Sequence, residues 1–570
     1  MSERSDAITT RSLASAAGII AAITLAARIV GFGRWFAFSH AVGATCVGSV
    51  YQSVNAVPNV LYEIAAGGVL AAVVVPLVAS GLARGDSAHA DETASTLLTW
   101  AVLLLVPLGA LVALAARPIA VALLGTGCTG EVGLGTELLV IFALQVPLYG
   151  VGIVLAGVLQ SHRRFVGAAL APLLSSLVVI AAYFAYRSLV DEPAADIAHI
   201  PHDAVLVLGV GTTLGVVALS LPLLVPVRRA GIRLRPRLRF PDGVGRRVRS
   251  LALAGLLAVA GQQVAMLVVI RLANDRGGAG TLNVYTYSQA IMLLPYAVLA
   301  VPLATAAFPS LAGAHATEAG EQTLSPHAQA VLTLRRAWVG TLVVAIFGAA
   351  LLVAVAQPAG TFFLHLDAGS RSEASAQTLA AMADAVTLFA PSVVALAVIG
   401  LMTRAAYVRG RAVVAGAAAG LGWLCTAAIP LAVLDPVGSG GPTALRVLSA
   451  GASAGLALGA VLVVVVVGTS WGWHAIRVPV RPLGGALLGA VVAALLARAA
   501  GSWLAGQGIG ASLGGSLVTG LLLAAGALVV MVGLAAVVDP TLPRRVRALR
   551  PRAGGALLEG SDRHSREEQA

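Results

Sequence analysis

The chain is dominated by apolar runs of the length that crosses a lipid bilayer. About 20 apolar residues in a helix span the hydrocarbon core, where helices and closed barrels alone satisfy all backbone hydrogen bonds. The sequence therefore predicts an all-α, polytopic membrane protein with about fourteen transmembrane helices. The runs lie near 13–32, 50–80, 94–115, 135–160, 164–187, 204–227, 250–273, 283–312, 332–356, 381–405, 411–433, 444–469, 483–500 and 511–537. The second and eighth contain Pro58 and Pro295, where we expect bends or breaks.

Composition agrees with a membrane protein and argues against a nucleic-acid partner. The chain is 58% hydrophobic and 11% charged, whereas about a quarter of the residues in a soluble domain are charged. Its formal net charge of +12 would suit nucleic acid, but most arginines lie in short connections between apolar runs. This distribution is typical of positive-inside membrane topology.

The arginine-rich connections alternate with arginine-poor ones, and this alternation predicts orientation. The poor connections include 191–203 and 434–442. If the amino terminus is cytoplasmic, every arginine-rich segment is cytoplasmic too, and both termini lie inside. The arginine-rich segments are 161–165, 228–249, 404–411, 477–481 and 543–552.

The segment 228–249 carries nine arginines around two prolines and divides the chain near its middle. The predicted plan is two six-helix bundles and a carboxyl-terminal helix pair, an arrangement that suits alternating access around a central cavity. In order, it comprises a cytoplasmic segment (1–12), the first bundle (13–227), the basic cytoplasmic loop (228–249), the second bundle (250–469), the helix pair (483–537) and a basic, disordered cytoplasmic tail (538–570).

Two arginines, Arg28 and Arg34, lie where the first membrane helix should be ending. Guanidinium groups pair bidentately with phosphate, so both are candidate binding residues for an anionic headgroup. Anchoring at the membrane interface is the alternative, because long stems reach it readily. The two guanidiniums can converge on one ligand only if the helix bends near Gly31 or Gly33.

A polar stripe follows on the second helix. Gln52, Asn55, Asn59 and Glu63 are separated by three, four and four residues, which places them on one helical face. Such a stripe faces either a cavity or a partner helix that it hydrogen-bonds. A carboxylate as deep as Glu63 is expected to be neutral or paired, and one of the two arginines is a possible partner.

Neither the cysteines nor any catalytic motif indicates a metal site or an active site. Cys46, Cys128 and Cys425 are scattered, without a C-x-x-C motif or a partnered histidine, so we predict neither a disulfide nor a metal site. No nucleophile elbow, phosphate loop or paired-carboxylate site is present. The chain is therefore predicted to be a carrier without a cofactor rather than an enzyme.

Several segments resemble the MurJ (MviN) lipid II flippase family, within the superfamily that also holds multidrug and polysaccharide exporters. Near the start, two arginines around G-F precede P-N at 58–59 and a closing Pro76. The likeness runs over about 15–480, and its further segments are 147–176, 294–314 and 406–416.

The resemblance implies a flippase of the bacterial inner membrane that moves a polyprenyl-pyrophosphate-linked glycan, most simply lipid II, to the outer leaflet. It also implies that Arg28 and Arg34 are cavity arginines, and that cell-wall synthesis proteins are possible partners. Several acidic or basic family positions fall instead on Trp35, Gly67 and Gln289. A multidrug or polysaccharide-lipid exporter and a non-transporting cell-wall scaffold are therefore alternatives.

Overall fold

The computed structural model describes residues 2–64, 71–125, 127–192, 196–240, 244–303, 326–435 and 437–538. Within these ranges the secondary structure is helical and contains no strand, as predicted for an all-α protein. The predicted carboxyl-terminal tail lies outside the described residues.

The described residues form two sets of ten α-helices, one on each side of the basic segment. The first set is α1 (Ser2–Ala41), α2 (Cys46–Glu63), α3 (Ala71–Ala83), α4 (Ser87–Leu114), α5 (Ala116–Leu123), α6 (Glu131–Ala143), α7 (Gln145–Ser161), α8 (Phe165–Leu189), α9 (His202–Ser220) and α10 (Leu224–Arg229). The second set is α11 (Val244–Gly277), α12 (Thr281–Pro295), α13 (Pro326–Leu366), α14 (Glu373–Ala380), α15 (Met382–Leu388), α16 (Ala390–Val408), α17 (Ala412–Val433), α18 (Gly441–Trp471), α19 (Val480–Gly506) and α20 (Leu513–Val538).

Eleven helical segments of the described chain are long and apolar enough to cross a membrane. The predicted runs at 13–32, 50–80 and 250–273 are not among them, although they fall on α1, on α2 with α3, and on α11. The molecule is thus a multi-pass helical protein, and the count of about fourteen spans remains a prediction.

The two prolines behave differently. Helix α12 ends at Pro295 and continues as a π-helical turn over 296–300, so the predicted irregularity at this proline is confirmed. Helix α2 instead runs through Pro58 to Glu63, so a break at Pro58 was wrong, whereas a bend there remains a prediction. A single proline removes only one backbone donor, and local adjustment of neighbouring groups can satisfy the carbonyl that it frees.

A disulfide joins Cys46 to Cys128, with Cα atoms 6.0 Å apart. The prediction that no disulfide would form was therefore wrong. Cys46 is the first residue of α2, and Cys128 lies just before α6. Because α2 packs against α6, the two thiols meet although 82 positions separate them in the sequence. We call this end of the helical bundle the disulfide end.

Each set of helices packs mainly within itself. In the first set α8 packs on α1 and α9, and in the second set α18 packs on α16 and α17. The final pair, α19 and α20, packs on α13. Small residues permit close approach there, since a Cβ added at Gly489 would lie 2.9 Å from the carbonyl oxygen of Met531.

The basic connection between the two sets lies as an extended strap, residues 233–239, along α4. The backbone amides of Arg233, Arg235 and Arg237 donate to side chains of α4 that are spaced four residues apart, namely Asp91, Ser95 and Thr99. Arg237 also forms an ion pair with Glu92 at 2.9 Å. Trp100 Nε1 donates to the carbonyl of Leu238 at 3.0 Å. Alternate strap residues therefore bind the helix through their backbone, and Arg237 adds an ion pair.

Candidate functional site

A cavity of about 740 Å³ lies between the two sets of helices. Its lining comes from α1, α2, α7, α8 and α9 on one side and from α11, α12, α16 and α17 on the other. Among the described lining residues, Arg34 is the one cation and Glu63 the one carboxylate. The remaining lining is polar, aromatic or aliphatic.

The predicted polar stripe of α2 faces this cavity. Gln52, Asn55, Asn59 and Glu63 all line it, as expected from their shared helical face. Asn59 is held in place, because its amide donates to the carbonyl of Asn55 at 2.8 Å and its oxygen accepts from Tyr149 at 3.0 Å. The side-chain oxygen of Asn55 is buried and has no partner among the described residues. One acceptor of the stripe is therefore left unsatisfied.

The structure separates the two candidate arginines. Helix α1 is continuous through both of them. Arg34 lines the cavity, whereas Arg28 is exposed and is not among the lining residues. Six residues of α-helix rotate a side chain by about 240°, which explains why the pair does not converge without the bend expected near Gly31 or Gly33. Neither arginine forms an ion pair with Glu63 in the described part of the chain.

Tyrosines form much of the cavity wall, and the sequence reasoning did not find them. Six of the nine tyrosines of the chain line it. The Tyr51 hydroxyl lies 3.0 Å from both the Tyr183 hydroxyl and Thr212 Oγ1, and its ring stacks on Phe38 at 5.4 Å. The available signal was the position of these tyrosines inside apolar runs, whereas membrane proteins usually enrich tyrosine at the interfaces.

The second set of helices adds amides but no charge. Gln262 and Gln263 of α11, Gln289 of α12 and Thr426 of α17 face the cavity. Gln289 is one of the positions where the family resemblance leads one to expect a charge. The wall opposite Arg34 can thus hydrogen-bond a polar ligand but cannot balance its charge.

The cavity is closed at the disulfide end by an aspartate that bridges the two sets of helices. Asp367, which directly follows α13, accepts hydrogen bonds from Ser39 Oγ at 2.6 Å and from the Ala44 backbone amide at 2.7 Å. The Gly369 amide donates to the same carboxylate at 2.8 Å. We call this arrangement the aspartate latch. It ties the connection between α1 and α2 to the second set of helices.

Further hydrogen bonds at the disulfide end reinforce the latch. Asn283 Nδ2 donates to the Gly43 carbonyl at 2.6 Å, and Ser375 Oγ donates to the Ala44 carbonyl at 2.7 Å. The Gly280 amide donates to Ser49 Oγ at 2.7 Å. All three cross from one set of helices to the other, so the closure rests on a network.

Glycine is required where the two backbones meet. Gly43 has φ +73°, and a Cβ at this position would lie 2.7 Å from Asp367 Oδ1. An L-residue is disfavoured in this left-handed conformation, and the added atom would also clash with the latch. Gly369 is equally confined, since its Cβ would lie 2.6 Å from the Ala44 carbonyl oxygen.

The latch carboxyl is buried at 3% exposure. Burial raises the pKa of Asp367 above its ordinary value, although the hydrogen bonds that it accepts from Ser39, Ala44 and Gly369 act in the opposite direction. Desolvation disfavours the ionised form. Closure therefore places a carboxylate where it is well hydrogen-bonded but poorly solvated.

Comparison with known proteins agrees with this architecture. The family model for the lipid II flippase MurJ matches residues 38–509. The chain belongs to the MurJ lipid II flippase family. A solved MurJ in its inward closed conformation superimposes with a TM-score of 0.69 at 14% identity, covering 92% of this chain and 99% of that one.

The same fold occurs in multidrug transporters. An inward-facing MATE family transporter of the MOP superfamily gives a TM-score of 0.57 at 15% identity, with 80% of this chain and 97% of the other covered. A eukaryotic MATE transporter gives 0.54 at 15% identity, with 82% and 97% covered. These likenesses concern the fold alone. The MurJ family match begins at residue 38, beyond both candidate arginines.

Chemically, the site suits a ligand with one anionic group and many hydroxyls or amides. Arg34 supplies a planar set of donors for a phosphate, and the α2 stripe and tyrosines supply neutral hydrogen bonds. No group of three or more His, Cys, Asp or Glu side chains is placed to hold a metal ion within the described ranges.

Proposed function

We propose that this MurJ family member carries a polyprenyl-pyrophosphate-linked glycan, lipid II in the first instance, from the inner to the outer leaflet by alternating access. The observation that carries the proposal is the cavity between the two sets of helices, closed at one end by the aspartate latch and containing Arg34 as the one cation among its described lining residues. The pyrophosphate binds Arg34, the glycan hydrogen-bonds the Gln52–Asn59 face of α2, and the lipid tail stays in the bilayer.

The proposed orientation places the disulfide end outside the cell. A disulfide persists in an oxidising compartment and is rare in the cytosol. The arginine-rich connections lie at the opposite end of the helices, where the positive-inside rule places the cytoplasm. Two independent features thus support cytoplasmic termini and an outward-facing latch. The MurJ family match supports residence in the bacterial inner membrane.

The experiment depletes the chain in its native bacterium and measures lipid II in the outer leaflet of the inner membrane. We expect outer-leaflet lipid II to fall while the inner pool rises. Unchanged outer-leaflet lipid II, with no other lipid-linked glycan accumulating inside, would refute the assignment.

The two arginines provide a matched pair of variants for the same assay. Arg34→Ala should abolish complementation, because it removes the one described cation of the cavity. Arg34→Lys should restore it only in part, since a point charge lacks the bidentate fork. Arg28→Ala should be the milder variant, because Arg28 lies outside the lining. Full activity of Arg34→Ala at normal expression would favour the scaffold alternative.

The exporter alternative depends on Glu63, the one described carboxylate of the cavity. A cation carrier needs such a group, so it predicts that Glu63→Gln sensitises cells to lipophilic cations. A flippase of an anionic lipid predicts no such sensitisation, and the two functions are thereby distinguished.

A further inference from the structure

A second cavity of about 650 Å³ lies outside the central site, between α13, α15 and α19 near the disulfide end. We call it the α19 groove. Leu495, which forms part of its wall, is 63% exposed, so the groove opens on the outer surface of the bundle. This surface carries exposed aliphatic side chains along α19, among them Leu488 and Val491, and it therefore faces lipid.

Arg498 is an unpaired charge in this groove. It lines the groove and is exposed, and it forms no ion pair with any carboxylate in the described part of the chain. Asp384 also lines the groove, and its carboxylate is bound to Arg446 at 2.9 Å. The groove thus has one uncompensated positive charge.

Arg498 also lies inside a candidate membrane span, Trp473–Gly506. It precedes the end of α19 at Gly506 by eight residues, which corresponds to about 12 Å along the helix. Trp503, five residues further on, is 64% exposed, as is typical of the interfacial aromatic belt. A charged side chain inside a membrane span is unfavourable. It therefore needs an anionic partner or a path to the interface.

The other polar groups of the groove make the arginine the principal donor. Thr361, Thr387 and Ser502 each donate their hydroxyl proton to a carbonyl of their own helix. Gln357 also lines the groove, and its side chain has no hydrogen-bond partner among the described residues. The open donors are thus the guanidinium of Arg498 and the amide of Gln357, a set that matches phosphate oxygens.

We propose that the α19 groove binds the phosphate headgroup of a membrane phospholipid in the leaflet at the disulfide end, with Arg498 as the anion-binding residue. The arginine stem lets the guanidinium rise toward the phosphate level, and one acyl chain lies against Leu495 and the apolar wall of α13. This site is separate from the central cavity and does not depend on which ligand that cavity carries.

The test measures lipid binding by the purified full chain, using native mass spectrometry and thermal unfolding. The probes are phosphatidylglycerol, diacylglycerol with the same acyl chains, and inorganic phosphate. We expect phosphatidylglycerol to bind and to raise the unfolding temperature, whereas diacylglycerol and inorganic phosphate should not.

Arg498→Gln should weaken phosphatidylglycerol binding at least tenfold, and Arg498→Lys should retain part of it, which shows that the fold survives a substitution here. The control is Arg117→Gln, an exposed arginine of α5 in the other half of the chain, and it should bind as wild type does. Equal binding by wild type and Arg498→Gln would overturn the proposal. Stabilisation by inorganic phosphate alone would also overturn it, by assigning a soluble anion in place of a lipid.

Discussion

Replacement of Asp367 by alanine should open the cavity at the disulfide end. The carboxylate accepts two backbone hydrogen bonds, from Ala44 at 2.7 Å and from Gly369 at 2.8 Å. These donors cannot rotate away, and a buried donor left without a partner is unfavourable by about 1–3 kcal/mol. A total of about 3 kcal/mol lies within the range for two such donors. It corresponds to a shift of about 150-fold toward the open form.

The asparagine variant separates hydrogen bonding from charge. In Asp367→Asn the amide oxygen still accepts from both backbone amides, and the new NH₂ group can donate to Ser39 Oγ. We therefore expect Asp367→Asn to stay closed, in contrast to Asp367→Ala.

The assay is labelling of a cysteine placed in the cavity. Gln52→Cys in a Cys425→Ser background is treated in intact cells with a membrane-impermeant maleimide. Labelling from outside should be slow with Asp367 present and much faster in Asp367→Ala. The accessibility control is Val437→Cys at an exposed site of the same end, where the native side chain is 95% exposed. Equal Gln52→Cys labelling with and without Asp367→Ala, at matched expression, would refute a closing role for the latch.

The latch also predicts a pH dependence. Burial in the closed form raises the pKa of Asp367, and opening returns the carboxyl to solvent, so the closed form binds the proton more tightly. Protonation therefore favours closure. The stabilisation of the closed form by protonation is complete below the ordinary aspartate pKa of about 3.9. It is lost as the pH rises through the raised pKa of Asp367 in the closed form. Acidification slows the maleimide reaction of every cysteine because it lowers the thiolate fraction. Mild acidification should therefore slow labelling of the Gln52→Cys protein more than it slows labelling of the Asp367→Asn version.

Two further outcomes follow from the disulfide end. Cys46→Ser with Cys128→Ser should lower the unfolding temperature of the purified protein, since closing a loop of 82 positions corresponds to at most about 4.5 kcal/mol in the chain-entropy model. Cys425→Ser is the control. Equal unfolding temperatures of the wild type, the double variant and this control would contradict a stabilising role for the disulfide. Gly43→Ala should increase outside labelling as latch removal does, because its φ is +73° and its Cβ would clash. A Cβ added at Gly33 would meet no atom within 4 Å, so Gly33→Ala should not change labelling. A similar response of the two glycine variants would argue against a role for the contact between Gly43 and Asp367.

The helices and the α2 stripe were predictable because both depend on local spacing. Apolar runs set helix positions, and intervals of three and four residues place Gln52 through Glu63 on one face whatever the partner. The separation of Arg28 from Arg34 also follows from helical rotation, and only the assumed bend in α1 obscured it.

The disulfide and the aspartate latch could not be predicted from local patterns. Cys46 and Cys128 meet only because α2 packs on α6, and nothing in the spacing of scattered cysteines encodes that contact. Asp367 is a single acid after a long apolar helix, a position where most acids are solvated. Its partners, the Ser39 hydroxyl and the Ala44 backbone amide, lie more than 300 positions away.

The strap on α4 has a mechanical consequence for any rocking of the two halves. From the sequence alone, residues 228–249 could be a long flexible linker. The strap is nevertheless bound to α4 as far as Arg239, whose carbonyl accepts a hydrogen bond from Thr96 at 3.2 Å. Only five residue steps then remain before α11 begins at Val244, a reach of about 17 Å when fully extended. The distance between the start of α11 and the bound strap on α4 can therefore not exceed this length unless hydrogen bonds between the strap and α4 break.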